Sequence, residues 1–413
     1  HGGDHGSAGA AGVDLMTHVL VINSGSSSLK YQLVDVEQGT WLAKGLVERI
    51  GEGESRLVHE VRDAEVLEIE GSLPDHAAAL ELVLRTFAQA APPIDDFVAV
   101  GHRVVHGGPD YREPVIVDAH VEDAIEEIVP LAPLHNPAAL LGIRDLRRLM
   151  PDVPHVAVFD TAFHATMPPE AYTYAIPTDL AAEHRIRRYG FHGTSYRNVT
   201  RKAAAFLSTP QSDVNLIICH LGNGASMAAI KGGRSVDTTM GLTPLQGLVM
   251  GTRSGDIDPA VVFQLVRVAG MSLDEVDTVL NKESGLKGLA GDQDMREVRR
   301  RAAAGDKAAR RALDVYAYRI RAYVGAYLAV VPGVQALVFT AGIGENDSAL
   351  RRDVCAPLRH LGIHLDDAAN EAHSSAARAI DDGTGSIRIL VIPTNEEAEI
   401  ARQAQEAVAA LGR

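Results

Sequence analysis

The chain has 413 residues, of which 46% are hydrophobic and 23% charged, a composition typical of globular proteins with sizeable cores. Its 39 basic and 54 acidic side chains give a formal net charge of −15, which argues against a general nucleic-acid binder or a protein that binds anionic membranes. Two cysteines, Cys219 and Cys355, cannot form a disulfide framework, so we expect a cytoplasmic protein. At about 150 residues per domain, the length predicts two or three domains.

Two stretches resemble targeting or membrane segments and are interpreted otherwise. Residues 1–15 are rich in glycine, alanine and histidine and precede the first methionine, Met16. They lack the charged and apolar regions of a secretory signal, so we interpret them as a tag remnant or a disordered extension. Residues 322–344 carry no charge, but Pro332 and Gly333 interrupt them. That break predicts a buried helix, a turn and a strand, and we expect no membrane association.

Short apolar runs alternate with helical segments along the chain, which predicts an α/β fold. Asn136 followed by Pro137 predicts a helix with Asn136 as its N-cap that runs to Pro151. An amphipathic helix is expected after Asn395, because Glu396 and its acidic neighbour open it. The expected strands cover residues 18–23, 96–101, 155–160, 215–220, 336–340 and 387–393.

Two segments about 200 residues apart resemble each other. The run HVLVINSGSSSLKYQLVDVEQG begins at residue 18, and NLIICHLGNGASMAAIKGG begins at residue 215. Each one predicts a strand, a glycine-rich turn, a strand and a second turn. The repeat indicates two related domains that face each other across a cleft. We expect an N-terminal domain of residues 16–160 with 397–413, and a C-terminal domain of residues 161–396.

The first hairpin carries candidate phosphate ligands where its strand ends, which is where open α/β folds bind ligands. Asn23, Ser26, Ser28 and Lys30 all lie in NSGSSSLK, residues 23–30. Turns rich in backbone N–H groups cradle phosphate oxygens, and a lysine adds a point charge. The alternative is a plain glycine–serine hairpin with a solvated lysine.

Two further glycine-rich turns, HLGNG (220–224) and GIGEN (342–346), also follow expected strands. Neither completes the P-loop pattern or the dinucleotide-binding fingerprint. Three such turns at strand ends in one chain favour a nucleotide phosphate site.

Two arginines stand in glycine-rich surroundings, Arg103 directly after an expected strand and Arg253 within MGTRSGDIDP. A guanidinium binds phosphate oxygens bidentately, and two of them can neutralise a transferring phosphoryl group. Surface salt bridges are the alternative for both. His135 lies just before the expected helix N-cap, a natural anion site, and Asp160 ends a strand. His192 lies in an aromatic loop flanked by glycines.

Nine motifs occur along the chain in the order and spacing of one protein family. They are VINSGSSSLKYQL, GHRVVHGG, PLHNP, VFDTAFH, YGFHGTS, HLGNGAS, TPLQGLVMGTRSGDIDP, FTAGIGEN and IPTNEE. The chain therefore resembles the acetate kinase family of the sugar kinase, Hsp70 and actin superfamily. This resemblance implies an α/β protein with a duplicated, ribonuclease H-like two-domain fold and a central cleft.

The resemblance also implies roles for individual residues. Catalytic roles fall to Asp160, Arg103, His192, Arg253 and His135. Asn23 and Glu396 resemble the ligands of Mg²⁺ (or Mn²⁺). The acetate methyl group is expected against Val105, Leu134, Phe191 and Pro244, with Arg103 on the carboxylate. ATP or ADP is expected against Lys30, Ser26, Ser28, His220, Leu221, Gly222, Asn223, Gly224, Asp294, Met295, Arg296, Gly342, Ile343, Gly344, Glu345 and Asn346.

The activity that this resemblance implies is reversible transfer of a phosphoryl group from ATP to acetate, giving acetyl phosphate and ADP, by a cytoplasmic homodimer with no nucleic-acid or membrane partner. The C-terminal domain would bind the nucleotide and the N-terminal domain the acetate. A propionate or butyrate kinase of the same family is one alternative, and a non-catalytic, actin-like ATP-binding module is another. The role of Asp160 stays open between orienting Arg103 and handling protons, and a covalent acyl or phosphoryl aspartate is a less economical alternative.

Overall fold

The structure is a computed structural model that describes residues 18–89 and 97–411. The extension expected at residues 1–15 lies outside the described residues. Short 3₁₀ helices cover Val129–Leu131, Ala162–Thr166, Gln211–Asp213 and Ala356–Leu361. The other elements of the described chain are β1 (His18–Ser24), β2 (Ser28–Asp35), β3 (Thr40–Glu48), β4 (Ser55–Val61), β5 (Leu67–Gly71), α1 (His76–Gln89), β6 (Ala99–Val104), β7 (Val115–Ile116), α2 (Ala119–Glu127), α3 (Asn136–Leu149), β8 (His155–Phe159), α4 (Pro169–Tyr172), α5 (Thr178–Glu183), α6 (Gly193–Phe206), β9 (Leu216–Leu221), β10 (Ala225–Lys231), β11 (Arg234–Thr238), α7 (Ala260–Arg267), α8 (Leu273–Lys282), α9 (Gly285–Ala290), α10 (Met295–Ala303), α11 (Lys307–Val330), β12 (Ala336–Thr340), α12 (Ala341–Asn346), α13 (Ser348–Cys355), α14 (Asp367–Glu371), β13 (Arg378–Ala379), β14 (Arg388–Val391) and α15 (Glu396–Leu411).

The strands form two mixed sheets with the same central topology. The first sheet has the order β5-β4-β3-β2-β1-β6-β8-β7, and the second has the order β11-β10-β9-β12-β14-β13. In each, two antiparallel pairings are followed by two parallel ones, in β3-β2-β1-β6-β8 and in β11-β10-β9-β12-β14. The described chain therefore has the duplicated α/β fold that the sequence predicts.

The repeated sequence segments are the first hairpin of each sheet. In the first sheet Asn23 on β1 lies opposite Lys30 on β2. In the second, His220 on β9 lies opposite Ser226 on β10. Both hairpins have short turns, and each turn directly follows a largely buried strand.

Two helices connect the two sheets. Each of them follows one sheet in the chain and packs on the other. Helix α15 follows β14 of the second sheet but buries Ile400 and Ala404 against β1, β6 and β8 of the first. Gly101 of β6 permits this contact, since a Cβ there would lie 2.9 Å from the Ile400 side chain. Helix α6 follows the first sheet and buries Tyr196 and Val199 against the second. The division at residues 160 and 397 stays a prediction.

Most expected elements are confirmed, with three local differences. The strand expected at 96–101 lies at Ala99–Val104, so Arg103 is inside β6 rather than after it. Helix α3 ends at Leu149, and its N-cap is His135, not Asn136. The buried Asn136 amide instead bonds both backbone groups of His106, at 3.1 and 3.0 Å. GIGEN is not a turn but the short helix α12.

The uncharged segment 322–344 forms the end of α11, a turn and β12, as expected. Within the described residues no helix is long and apolar enough to span a membrane.

Candidate active site

Arg103, which is partly exposed, and the buried Asp160 form an ion pair at the carboxyl edge of the first sheet. Strands β6 and β8 are parallel neighbours, and Arg103 lies opposite Val158 in their register. Asp160 follows β8 directly and is 1% exposed. Arg103 Nε donates to Asp160 Oδ1 at 3.1 Å, and Nη2 donates to Oδ2 at 2.7 Å. Asp160 raises the pKa of Arg103 above its ordinary value, so the guanidinium remains charged.

Helix α15 brings two carboxylates to this pair. The Glu396 carboxylate lies 4.0 Å from Arg103 Nη2. Burial first, and then the neighbouring charges of Asp160 and Glu397, raise the pKa of Glu396 to about 7 against the pull of Arg103. Lys30 Nζ lies 2.7 Å from Glu397 Oε1. Of the expected hairpin residues, Lys30 therefore contacts α15, Asn23 lies opposite Lys30 in the strand register, Ser26 lies in the turn and Ser28 begins β2.

His192 begins helix α6 from the other half of the molecule. It is the N-cap residue and has a φ of 58°, in the left-handed region that non-glycine residues adopt at a cost. Its Nδ1 lies 2.8 Å from Ser226 Oγ, which also lies 2.5 Å from the Tyr196 hydroxyl. The ring stacks on His220 with centroids 4.1 Å apart.

Burial keeps both stacked imidazoles neutral near pH 7. It lowers the pKa of His192 well below its ordinary value, and His220, Arg103 and Arg253 add to the shift. Burial likewise lowers the pKa of His220 to about 3. Ser195 Oγ lies 2.8 Å from His220 Nδ1, which holds the second ring in place.

Arg253 approaches His192 at the turn of the second hairpin. A Cβ on Gly224 would lie 3.6 Å from His192 Nε2 and 3.7 Å from Arg253 Nη1, so the two groups converge there. Arg253 makes no ion pair within residues 18–89 and 97–411, and Nη1 is 3.4 Å from the Pro244 carbonyl oxygen. Burial, with Arg253 and Arg103 next, lowers the pKa of the half-buried His135. The positive charges of both arginines therefore disfavour a protonated His135.

The residues expected around the acetate methyl group divide into two sets. Phe191 is buried against the His106 ring, with centroids 5.6 Å apart, and Val105 packs on the same apolar cluster. Pro244 contacts Arg253 through its carbonyl oxygen. Leu134 differs, because its side chain is 60% exposed.

The three expected nucleotide segments meet at one cavity of about 810 Å³. It is lined by Gly222, Asn223, Asp294, Met295, Arg296, Gly342, Ile343 and Asn346 of those segments, and also by Gln293, Arg299, Asp347, Ser348 and Ala349. The structure therefore brings together parts of the chain that are up to about 120 residues apart.

Ser26, Ser28 and Lys30 on the first hairpin, and five residues of these three segments, do not line the cavity. Leu221 and Gly344 are buried, and His220 stacks on His192. The Glu345 carboxylate turns inward, where Oε1 accepts from the backbone N–H groups of Ala341 at 2.8 Å and Thr394 at 3.1 Å. Glu345 thus fixes α12 to the segment that leads into α15. Gly224 lies at the turn between His192 and Arg253 rather than in the cavity wall.

Sequence reasoning missed Arg299 and Asp347 in the cavity wall. Their side chains pair, with Arg299 Nε 2.5 Å from Asp347 Oδ2. Asp347 also caps α13 by accepting from Leu350 N at 2.9 Å. A signal for both was present, since Arg299 lies one helical turn after Arg296 and an Asp–Ser cap directly follows GIGEN.

The family model described as the acetokinase family matches residues 18–402. The chain belongs to this family. It is 55% identical over 400 residues to an acetate kinase of Leifsonia xyli, covering 96% of this chain and 100% of that one. It is 51% identical over 402 residues to an acetate kinase of Thermotoga petrophila, with 96% and 100% covered.

Solved structures of the family have the same fold. The acetate kinase of Porphyromonas gingivalis superposes with a TM-score of 0.90 at 40% identity, covering 95% of this chain and 100% of that one. A propionate kinase of Francisella tularensis gives a TM-score of 0.89 at 41% identity, with the same coverage. The fold class and the family membership expected from the motifs are thus confirmed.

Proposed function

We propose that the chain is a Mg²⁺-dependent (or Mn²⁺-dependent) cytoplasmic acetate kinase that transfers the γ-phosphoryl group of ATP to acetate, reversibly, giving acetyl phosphate and ADP. One observation carries the proposal. Two arginines from different halves of the chain, Arg103 and Arg253, flank a buried histidine next to a cavity lined by the three nucleotide segments. The acetate kinase relatives at 51–55% identity support the same activity.

The chain would neutralise and position the reactants rather than supply a strong base. Acetate is ionised at neutral pH, and phosphoryl transfer needs mainly alignment and charge stabilisation. Asp160 accepts from Arg103 through both oxygens, so we assign it the positioning of that guanidinium. Arg103 would hold the acetate carboxylate, and Arg253 is free of carboxylate partners in the described chain and would meet the phosphoryl oxygens.

His192 would donate one hydrogen bond to the transferring group as a neutral imidazole. Burial raises the pKa of Tyr196 well above its ordinary value, and we assign its hydroxyl as the donor in the 2.5 Å contact with Ser226 Oγ. Ser226 then donates to His192 Nδ1. This chain leaves the proton on Nε2, the atom that faces the Gly224 turn.

The residues on the first-sheet side fit a magnesium ion. The Glu396 carboxylate is buried and crowded by Asp160 and Glu397, and a divalent cation would relieve that repulsion. Mg²⁺ prefers oxygen ligands, which Glu396 and the Asn23 amide offer from neighbouring elements. The ion, when bound with nucleotide, neutralises charge on the phosphates.

Acetate rather than propionate is the proposed acceptor, and Val105 is the proposed gate. Its β-branched side chain is stiff, and it packs on the apolar cluster that contains Phe191. One methylene in an apolar pocket is worth roughly 10- to 200-fold. We expect kcat/KM to fall in the order acetate, propionate, butyrate.

A coupled assay with ATP and these three acids tests the acceptor. Val105→Ala is expected to raise kcat/KM for propionate relative to acetate. Val121→Ala, which shortens a buried valine of α2 away from the site, is the matched control and should leave the ratio unchanged. A wild-type preference for propionate contradicts the acetate assignment, and an activity absent with all three acids contradicts the kinase assignment.

A homodimer formed through α7 is part of the proposal. Apart from Gln264 and Arg267 this helix is apolar, yet it has no buried residue. Phe263 is 55% exposed, and Val268 and Leu273 nearby are also exposed. A self-complementary apolar face is typical of two-fold dimers. Light scattering on wild type and Phe263→Glu tests it, with a monomeric wild type as the contradicting result.

A further inference from the structure

A second cavity, of about 790 Å³, has a basic lining. It shares no lining residue with the nucleotide cavity. Five arginines line it, against a single carboxylate, Glu113. The arginines are Arg112, Arg197, Arg201, Arg234 and Arg402. Its volume lies in the range of small-molecule sites.

The charges around this cavity do not balance. Arg201 and Arg402 share the fully buried Glu399 beneath the wall, at 3.4 and 2.5 Å, and Arg402 also pairs with Glu406. Arg197 pairs with Glu113 at 3.3 Å. Five positive charges therefore face three negative ones, in a protein of net charge −15.

Two of the arginines in the cavity wall have no carboxylate partner within the described residues. Arg112 and Arg234 are exposed, and neither forms an ion pair within the described part of the chain. Arg112 comes from the first-sheet half, and Arg234 opens β11 of the second sheet. A cluster of guanidinium groups from separate segments costs repulsion that a bound anion offsets, and each fork matches two oxygens of a phosphate or carboxylate.

The cavity wall also continues three segments of the candidate active site. Ala162, Phe163, Ala165 and Thr166 of the wall begin two residues after Asp160. Arg197 lies five residues after His192 along α6, a rise of about 7 Å. Arg402 lies six residues after Glu396 along α15. An occupant would therefore touch the segments that position the catalytic side, while making no contact with the reactants.

We propose that this cavity binds a small multivalent oxyanion, with at least two phosphate or carboxylate groups, and that its occupancy changes the rate of phosphoryl transfer. The anion would bridge Arg112 of the first-sheet half to Arg234 and α6 of the second. Bridging restrains how these segments move relative to one another. Only the effect on rate rests on the proposed function, since binding is independent of it.

Binding is tested by calorimetry with the full chain, EDTA and saturating ADP, so that the nucleotide phosphate subsites are filled. Pyrophosphate and tricarballylate are titrated separately at an ionic strength matched with KCl. We expect at least one to bind, and Arg112→Glu and Arg234→Glu each to weaken its Kd at least 10-fold. Arg311→Glu, an exposed arginine of α11 that lines neither cavity, should leave the Kd unchanged.

The two probes separate the sources of the ligand. Tighter binding of pyrophosphate supports a phosphorylated ligand, and tighter binding of tricarballylate supports a polycarboxylate. The proposed site is wrong if neither anion binds wild type. It is also wrong if the Arg112→Glu and Arg234→Glu variants bind the anion with the Kd of wild type.

The rate effect has its own readout. With saturating ATP, acetate and fixed free Mg²⁺, the anion that binds should change the kcat of wild type at least two-fold and leave the kcat of Arg234→Glu unchanged. Binding without any change in kcat overturns the coupling but not the site. Absence of kinase activity in every sample overturns the proposed function while the calorimetry still decides the site.

Discussion

Arg103 and Arg253 approach one site from different halves of the duplicated fold, and their charges are handled differently. Arg103 on β6 is bound by both oxygens of Asp160 and has Glu396 4.0 Å away. The guanidinium of Arg253, in the loop between β11 and α7, makes its hydrogen bonds within the described residues to the Pro244 carbonyl oxygen and the Met250 sulfur. Burial lowers the pKa of Arg253, whereas Asp160 raises that of Arg103.

In the proposed mechanism, this difference assigns substrate positioning to Arg103 and charge stabilisation to Arg253. A paired guanidinium has a fixed orientation but little net charge left for a ligand, which suits a group that aligns an anionic substrate. An unpaired guanidinium has its full charge available when negative charge develops on a phosphoryl group.

The largest effect is expected from breaking the pair on the first-sheet side. Asp160→Asn leaves a largely buried guanidinium without its counter-charge, so the free energy of unfolding should fall by about 3 kcal/mol. The kcat should fall at least 100-fold, because Arg103 loses its orientation. Urea unfolding and steady-state kinetics measure the two.

The control for this variant is Glu126→Gln, which removes an exposed carboxylate 2.7 Å from Arg144. A surface pair contributes only about 0–1 kcal/mol, so this change should be nearly silent. Unchanged stability of Asp160→Asn would contradict the assignment of Asp160 as the fixed partner of Arg103.

Substitution of Arg253, which has no carboxylate partner in the described chain, should lower kcat and leave the free energy of unfolding nearly unchanged. Arg253→Lys is expected to lower kcat about 100-fold, because lysine lacks the bidentate fork, while the free energy of unfolding stays within about 1 kcal/mol. Arg300→Lys, at an exposed arginine paired with Glu297, is the matched control with unchanged kcat. Near-normal kcat in folded Arg253→Lys removes Arg253 from the site.

A smaller effect on kcat is expected from disturbing the hydrogen bond that sets the tautomer of His192. Ser226→Ala removes the group 2.8 Å from His192 Nδ1, so the ring no longer has one enforced tautomer, and kcat should fall about 10-fold. Ser235→Ala removes an equally buried hydroxyl, 2.7 Å from His164 Nδ1, without touching His192. If both variants lose activity equally, the effect of Ser226 is structural and the tautomer argument is wrong.

The smallest effect concerns pH and the buried His164 of the second half. Burial lowers the pKa of His164 to about 4, below the ordinary value of 6.5. The unfolded chain therefore takes up a proton between pH 6.5 and 4 that the folded chain does not, and stability falls as the pH falls. As the pH falls, the free energy of unfolding should therefore decrease less steeply in His164→Gln than in wild type, by about 1 kcal/mol per pH unit.

Thermal unfolding between pH 7.5 and 5 measures that slope. His373→Gln, at an exposed histidine, serves as the control and should retain the slope of wild type. Equal slopes in all three proteins contradict the assignment of the slope to His164.

Local patterns in the sequence were sufficient to predict several central strands and the duplicated hairpin. Apolar runs predicted β1, β8, β9, β12 and β14 to within a few residues, because strand periodicity and glycine punctuation are read over about ten residues. The similar hairpins at residues 18 and 215 predicted the duplication for the same reason. The motifs also placed Asp160 correctly at the end of β8.

Tertiary structure alone decided how those local pieces combine. The Arg103–Asp160 pair joins residues 57 apart through the register of β6 and β8, and the nucleotide cavity joins the second hairpin to α10 and α12. Glu345 turned inward because Thr394, 49 residues later, offers it a backbone donor. The basic cavity arises where α6, α15, residues 162–166 and the start of β11 meet. Sequence determines each side chain and its local conformation, but charge balance, burial and pKa depend on which distant segments the packed sheets and helices bring into contact.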